Sequence, residues 1–142
     1  MHSNNNTVGF VRIENYLKKN SKAFFSDEKS LWFVLEKDNI RSVFKKLKDL
    51  GVYRISCISG VDVGKDIEII YHFNFNKKRF NIKTSVSKEN PEIEIVSDIY
   101  HGCSLFEREL AEMLGIKIKG HPDPRNLFLY KDSPKAPLRR QT

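Results

Sequence analysis

At 142 residues, with 39% hydrophobic and 30% charged side chains, the chain is one domain's worth and can bury a sizeable core, which excludes wholesale disorder. Its apolar runs are too short to span a bilayer, no signal-peptide pattern opens it, and two cysteines (Cys57, Cys103) form neither a disulfide framework nor a metal-ligand spacing, so a reducing, cytoplasmic setting is expected. The net charge is +7, but residues 117–142 hold seven basic and two acidic side chains, 7 − 2 = +5, which leaves +2 for residues 1–116. The excess sits in an appendage, and an appendage of that sign suits an acidic partner, protein or nucleic acid.

The opening MHSNNNT is polar and is expected to fray. Phe10, Ile13 and Leu17 recur at helical spacing and predict a short first helix over residues 10–17. Residues 21–30 read as a loop or irregular strand, and residues 31–36 (LWFVLE) as a strand. Asp38 or Asn39 is placed to cap a helix in which Ile40, Val43, Phe44, Leu47 and Leu50 recur at i, i+3, i+4, i+7 and i+10, with Gly51 as its stop. Three more strands are expected over residues 52–59, 67–75 and 80–87. A turn at residues 60–66 and a tight connection at Asn76-Lys77-Lys78 separate them. Past the break at Asn90-Pro91, a weaker helical segment is expected through residues 92–100. This order predicts an α+β, two-layer fold: a small mixed or antiparallel sheet of about four strands with helices on one face.

The next segment, SLFERELAEMLGIKIKGHPDPR (residues 104–125), begins as an amphipathic helix that Gly115 should end. At the helical period Leu105, Phe106, Met113, Leu110 and Leu114 share one apolar arc, with Arg108 and Glu112 opposite. Glu109 falls inside that arc. A carboxylate buried with a core needs a cation or several donors, and no basic residue stands three or four positions from Glu107 or Glu109. The partner must come from elsewhere, with Arg125, Arg139 and Arg140, or another protein, as candidates. After Gly120 four prolines (Pro122, Pro124, Pro134, Pro137) favour extended backbone. The expected division is therefore a body, residues 1–116, followed by an extended, basic, proline-rich tail, residues 117–142.

Chemical constellations are sparse. His2, His72, His101 and His121 are scattered with no pair at ligand spacing, so no metal site is expected. The sequence has no glycine-rich phosphate loop, GxSxG elbow or Cys-x-x-Cys. As acid/base groups Glu107, Glu109 and Glu112 would need a cleft and a raised pKa; a solvated helix face with one paired, buried glutamate is the favoured reading. Tyr71, Phe73 and Phe75 alternate on one strand face and suit core before a base-stacking platform. Cys57 and Cys103 read as small buried hydrophobes, and His121 as a loop residue bonding the backbone. No catalytic, cofactor-binding or metal-binding residue is expected in this chain. Elimination favours a binding or scaffolding module over an enzyme.

A set of residues in order and in register adds to this. Ser97 and Asp98 stand first, then Glu107-Arg108-Glu109 with Glu112 three positions on, then Gly115-Ile116. Gly120, His121, Pro122, Asp123 and Arg125 follow, and Pro137, Leu138, Arg139 and Arg140 close the set. Across residues 91–140 this resembles the C-terminal signature of the 30-kilodalton subunit family of complex I, the proton-pumping NADH dehydrogenase. The same family supplies the matching small subunit of energy-converting membrane-bound nickel–iron hydrogenases. Residues 31–90 match only in element order. His101, Cys103 and Leu105 stand where the family has Pro, Ala and Trp, and Leu114 where it has an aromatic residue. Pro124 and Asn126 replace the commoner Leu and Arg, and the tail lacks the usual tryptophan before Pro137. These departures look more similar to the hydrogenase-type branch than to the respiratory one.

The resemblance implies a peripheral-arm subunit on the cytoplasmic face of the membrane, with no redox centre of its own. It implies packing against a large catalytic subunit, a relative of the hydrogenase large subunit, and near a small iron–sulfur subunit. Iron–sulfur clusters, and in one branch a nickel–iron centre, would lie in those partners and couple electron transfer to ion pumping. The implied interface comprises Glu107, Arg108, Glu109, Glu112, Gly120, His121, Pro122, Asp123, Arg125, Pro137, Leu138, Arg139 and Arg140. In this reading Glu107 and Glu109 accept hydrogen bonds from an arginine while Arg108 reaches Glu112 or a partner carboxylate. The rivals are the corresponding subunit of a respiratory NADH:quinone oxidoreductase and, from another class, a small nucleic-acid-binding module.

Overall fold

The computed structural model describes residues 2–120, with side chains from Gly9 onward. The elements in order are α1 (His2–Asn20), β1 (Ala23–Ser26), β2 (Leu31–Val34), α2 (Ile40–Asp49), β3 (Ile55–Asp62), β4 (Asp66–Phe75), β5 (Lys78–Ser87), β6 (Glu92–Glu94), α3 (Ser104–Leu114) and β7 (Lys117–Lys119). Five strands form a mixed sheet in the order β1-β2-β5-β4-β3, in which only β2 and β5 run parallel. Strands β6 and β7 form a separate parallel pair. The α+β class and the placement of helices on one face are as expected. The fifth strand is β1, folded back on β2 out of the stretch read as a loop or irregular strand.

Alternation with period two decides which face is covered. Ile67, Ile69, Tyr71 and Phe73 of β4 are buried on the same side as Phe80 and Ile82 of β5. Phe10, Ile13 and Leu17 of α1 and Val43, Phe44 and Leu47 of α2 fill the space above them. The Phe44 ring meets Tyr71 and Phe73 edge-on, with centroids 4.9 and 5.2 Å apart, and Phe73 stacks on Phe80 at 4.9 Å. Tyr71 and Phe73 are thus sealed in the core, which removes the base-stacking reading.

The opposite sheet face carries a polar string. Asn81 Nδ2 donates to Ser30 Oγ (3.0 Å), which leaves Oδ1 to accept from His72 Nδ1–H (2.8 Å). His72 Nε2 then accepts the Ser59 hydroxyl (2.8 Å). The string links β3, β4, β5 and the residue before β2, so a one-residue slip of any of them would break it.

Four expectations need correction. Residues 92–100 are not helical: Glu92 and Glu94 sit opposite Lys117 and Lys119 in the β6–β7 pair, and Lys119 Nζ reaches Glu92 at 2.9 Å. That cross-strand charge match outweighs weak helical periodicity. The helix α1 begins at His2, so the polar opening is helical and not frayed. Strand β3 runs through Gly60 to Asp62, in place of the first part of the expected turn. Neither Asp38 nor Asn39 caps α2 with its side chain; a 3-10 turn, Lys37–Asn39, leads into the helix.

Candidate subunit interface

Residues 95–103 form a strap between β6 and α3, and individual donors tie it to the body. Arg41 on α2 presents a forked guanidinium to Asp98, with Nη1–Oδ1 2.7 Å and Nη2–Oδ2 2.8 Å, and Nη1 also donates to the Ile95 carbonyl at 2.6 Å. Lys48 Nζ donates to the Ile99 carbonyl (2.8 Å), and the buried Tyr100 hydroxyl donates to the Val52 carbonyl (2.8 Å). Arg41 holds the Asp98 carboxyl below the usual aspartate value, chiefly through this hydrogen bond, with its charge adding to it. Burial pushes the Cys103 thiol up to about 12, so that cysteine is an inert core residue. Cys57 is only half-buried.

The strap sets the rotation of α3. Val96 N–H donates to Glu107 Oε2 at 2.8 Å, inside the core. Glu107, 2% exposed, is therefore a buried glutamate of this helix, and Glu109 is exposed. The apolar-arc reading selects the wrong carboxylate. At 100° per residue the buried arc is turned by roughly 80° from the predicted one, toward Leu110, Leu114 and Glu107. Glu112, expected to face solvent, is buried too. A backbone donor supplied by the strap offsets the cost of burying Glu107, and nothing in the helix's own sequence announces it.

Packing beneath the helix agrees with this rotation. A Cβ on Gly60 would run into Leu114 Cδ1 and lie 2.7 Å from Leu110 Cδ1, so the glycine lets α3 approach β3 closely. An isolated glycine within a strand-like run is the sequence signal for that contact. The helix stops as expected at Gly115, which has φ 68°.

Because of that rotation, Leu110 and Leu114 of the arc that periodicity assigns to the core are buried, and its other edge turns outward. Leu105 is 59% exposed, Phe106 and Met113 are half-buried, and Glu109 is exposed beside them. Phe106 also lines a cavity of about 360 Å³ with Ile55, Cys103 and Tyr53, the last 75% exposed. An apolar row of this kind, edged by a carboxylate, is suited to another protein surface.

Of the other expected interface residues, Arg108 is half-buried on α3, and Gly120 has φ 89° with its Cα side against Ile95. His121, Pro122, Asp123, Arg125, Pro137, Leu138, Arg139 and Arg140 lie outside the described residues. Lys117–Lys119, the first residues of the segment read as tail, form β7. Arg41, Lys48 and Val96 are positioning residues that sequence reasoning misses.

The family model described as respiratory-chain NADH dehydrogenase, 30 Kd subunit, matches residues 33–142. The chain is 39% identical over 87 residues to an NADH-quinone oxidoreductase subunit of Phocaeicola vulgatus, covering 58% of this chain and 17% of that protein. It is 36% identical over 90 residues to an NADH-quinone oxidoreductase subunit of Chloroherpeton thalassium, covering 61% of this chain and 38% of that protein. The aligned part thus spans well under half the length of either relative. In fold, the chain is similar to one from the structure of the membrane-bound sulfane sulfur reductase, an archaeal respiratory membrane complex. The TM-score is 0.74 at 22% identity, over 92% of this chain and 81% of that one. Among the described residues no helix is long and apolar enough to cross a membrane.

Proposed function

This chain belongs to the family of the respiratory-chain NADH dehydrogenase 30 Kd subunit, and we propose that it works as a non-catalytic scaffold in the peripheral arm of a membrane-bound, complex I-like oxidoreductase. It packs against the large catalytic subunit and the small iron–sulfur subunit on the cytoplasmic face of the membrane. Those partners hold the iron–sulfur clusters and carry the electrons. The observation that carries this reading is the outward apolar row of α3, with Leu105 59% exposed beside Glu109 on a helix whose other side is fully packed. A family membership that implies a complex and a helix face left for a partner point the same way. The basic residues Arg125, Arg139 and Arg140 of the following segment suit acidic groups on the partners.

The test is affinity purification of the tagged chain from native membranes, with the co-purifying chains identified by mass spectrometry. A large subunit and an iron–sulfur subunit are expected. Leu105→Asp and Glu109→Ala should reduce their recovery while leaving the melting temperature of the free chain unchanged, because both side chains are exposed. Recovery of nucleic acid in place of these subunits, or undiminished recovery with both variants, would overturn the proposal.

Within the family, the departures at His101, Cys103, Leu105 and Leu114 favour a nickel–iron hydrogenase-type complex, with a nickel–iron centre in the large subunit. The names of the two relatives favour the quinone-linked alternative. A large partner bearing two Cys-x-x-Cys pairs, with soft thiolate ligands for a metal centre, decides for the hydrogenase type.

A further inference from the structure

Where β4 turns into β5 the hairpin has a two-residue loop. Phe75 pairs with Lys78, and Asn76 and Lys77 have φ 50° and 70°. Loops with two positive φ angles favour Asn then Gly, because a Cβ at the second position crowds the backbone. Asn76 fits this pattern, and Lys77 occupies the glycine position. Strain held at a single exposed residue is a pointer to function.

The same corner opens into a cavity of about 360 Å³ lined by Lys29, Lys77, Lys78 and Arg79, with Phe10 and Asp27. None of the four cations forms an ion pair with a described residue. The Lys78 ammonium is held 4.8 Å from the Phe10 ring centroid. Asp27 is turned into its own loop: Oδ1 accepts the N–H groups of Lys29 (2.9 Å) and Ser30 (2.8 Å), and Oδ2 accepts Trp32 Nε1 (2.9 Å). One engaged carboxylate thus stands against four cations that line the same open depression.

We propose that this corner is a binding site for a phosphate group, on a small phosphate compound or a lipid headgroup. Three of the four cations are lysines, which meet phosphate as point charges, whereas carboxylate recognition relies on paired guanidinium forks. The cavity is the size of a small headgroup and much smaller than a protein footprint. The site is independent of the scaffold reading and lies on a different part of the fold from α3.

The test is calorimetric titration of the full chain with inorganic pyrophosphate at low salt, alongside co-sedimentation with phosphatidylglycerol vesicles. Binding of either probe supports the site, and which one binds identifies the source of the phosphate. Lys77→Gly should weaken binding about tenfold through the loss of one close charge. It should also raise the melting temperature by roughly 2–4 °C by relieving the turn. Arg79→Gln should weaken binding comparably with no such rise, and Lys46→Gln on α2 should do neither. The basic segment 117–142 is present in every variant, so non-specific attraction is held constant. The proposal is overturned if neither probe binds or if the Lys77→Gly/Arg79→Gln double variant binds as the wild type does. It is equally overturned if a polyglutamate peptide binds more tightly than both phosphate probes.

Discussion

The core under α2 and the strap in front of α3 are held by different physics. In the core, Phe44 touches Tyr71, Phe73 and Tyr100, all edge-on, and stability comes from many small contacts with no single indispensable atom. The strap is fixed by a few directional bonds: Arg41 to Asp98 and Ile95, Lys48 to Ile99, Tyr100 to Val52 and Val96 to Glu107. The core decides whether the chain folds. The strap decides which side of α3 faces outward. Damage to the core should therefore be large and global, and damage to the strap smaller and confined to α3.

The largest expected effect is Phe44→Ala, at about 3–5 kcal/mol, because it empties the centre of the aromatic cluster. Chemical denaturation should show one cooperative transition at a lower midpoint; a loss below about 1 kcal/mol would mean that the ring is not the keystone its contacts indicate. Gly60→Val comes next at about 1–3 kcal/mol, since its side chain would overlap Leu110 and Leu114. Its distinguishing sign is local: the methyl resonances of those two leucines should shift, with those beneath α2 unmoved.

The same contrast explains what is legible in the sequence. Period-two and period-3.6 patterns report burial by packing, and they place α2, β2, β4 and β5 within a few residues. The sheet's helix-covered face follows from the same alternation. Directional bonds between segments far apart in the chain leave no such trace. Arg41 looks like any cation on an amphipathic helix, yet it fixes a residue 57 positions away. Glu107 and Glu109 are indistinguishable by residue type, and a bond such as that from the Val96 N–H, which distinguishes them, leaves no mark in the sequence. Periodicity therefore finds α3 and orients it wrongly.

Glu107→Ala tests that selection directly. Removing the carboxylate strands the Val96 N–H in the core, at a cost of about 1–3 kcal/mol. Exchange of the Val96 amide proton should accelerate more than that of the sheet amides, and Glu107→Gln, which keeps an acceptor oxygen, should be milder. Equal acceleration throughout the protein would assign Glu107 to the core and end its separate role in the strap.

The smallest and sharpest prediction concerns Arg41 and Asp98. Both side chains are partly exposed, at 24% and 48%, so solvent screening limits the pair to about 1 kcal/mol. Its pH dependence has a definite sign. The hydrogen bond from Arg41, more than its charge, depresses the folded-state pKa of Asp98, so the pair's contribution is fully present above the unfolded aspartate value, about 4. It is lost as pH falls through the lower folded value. The stability difference between wild type and Arg41→Gln should thus be constant from neutral pH to about 4 and shrink below it. A remainder should persist even in acid, because Arg41 also donates to the Ile95 carbonyl, which does not titrate. If the difference is the same at every pH, the carbonyl contact carries Arg41's contribution to the strap and the fork on Asp98 is incidental. If it vanishes entirely in acid, the fork is the whole of the tie that Arg41 makes to the strap.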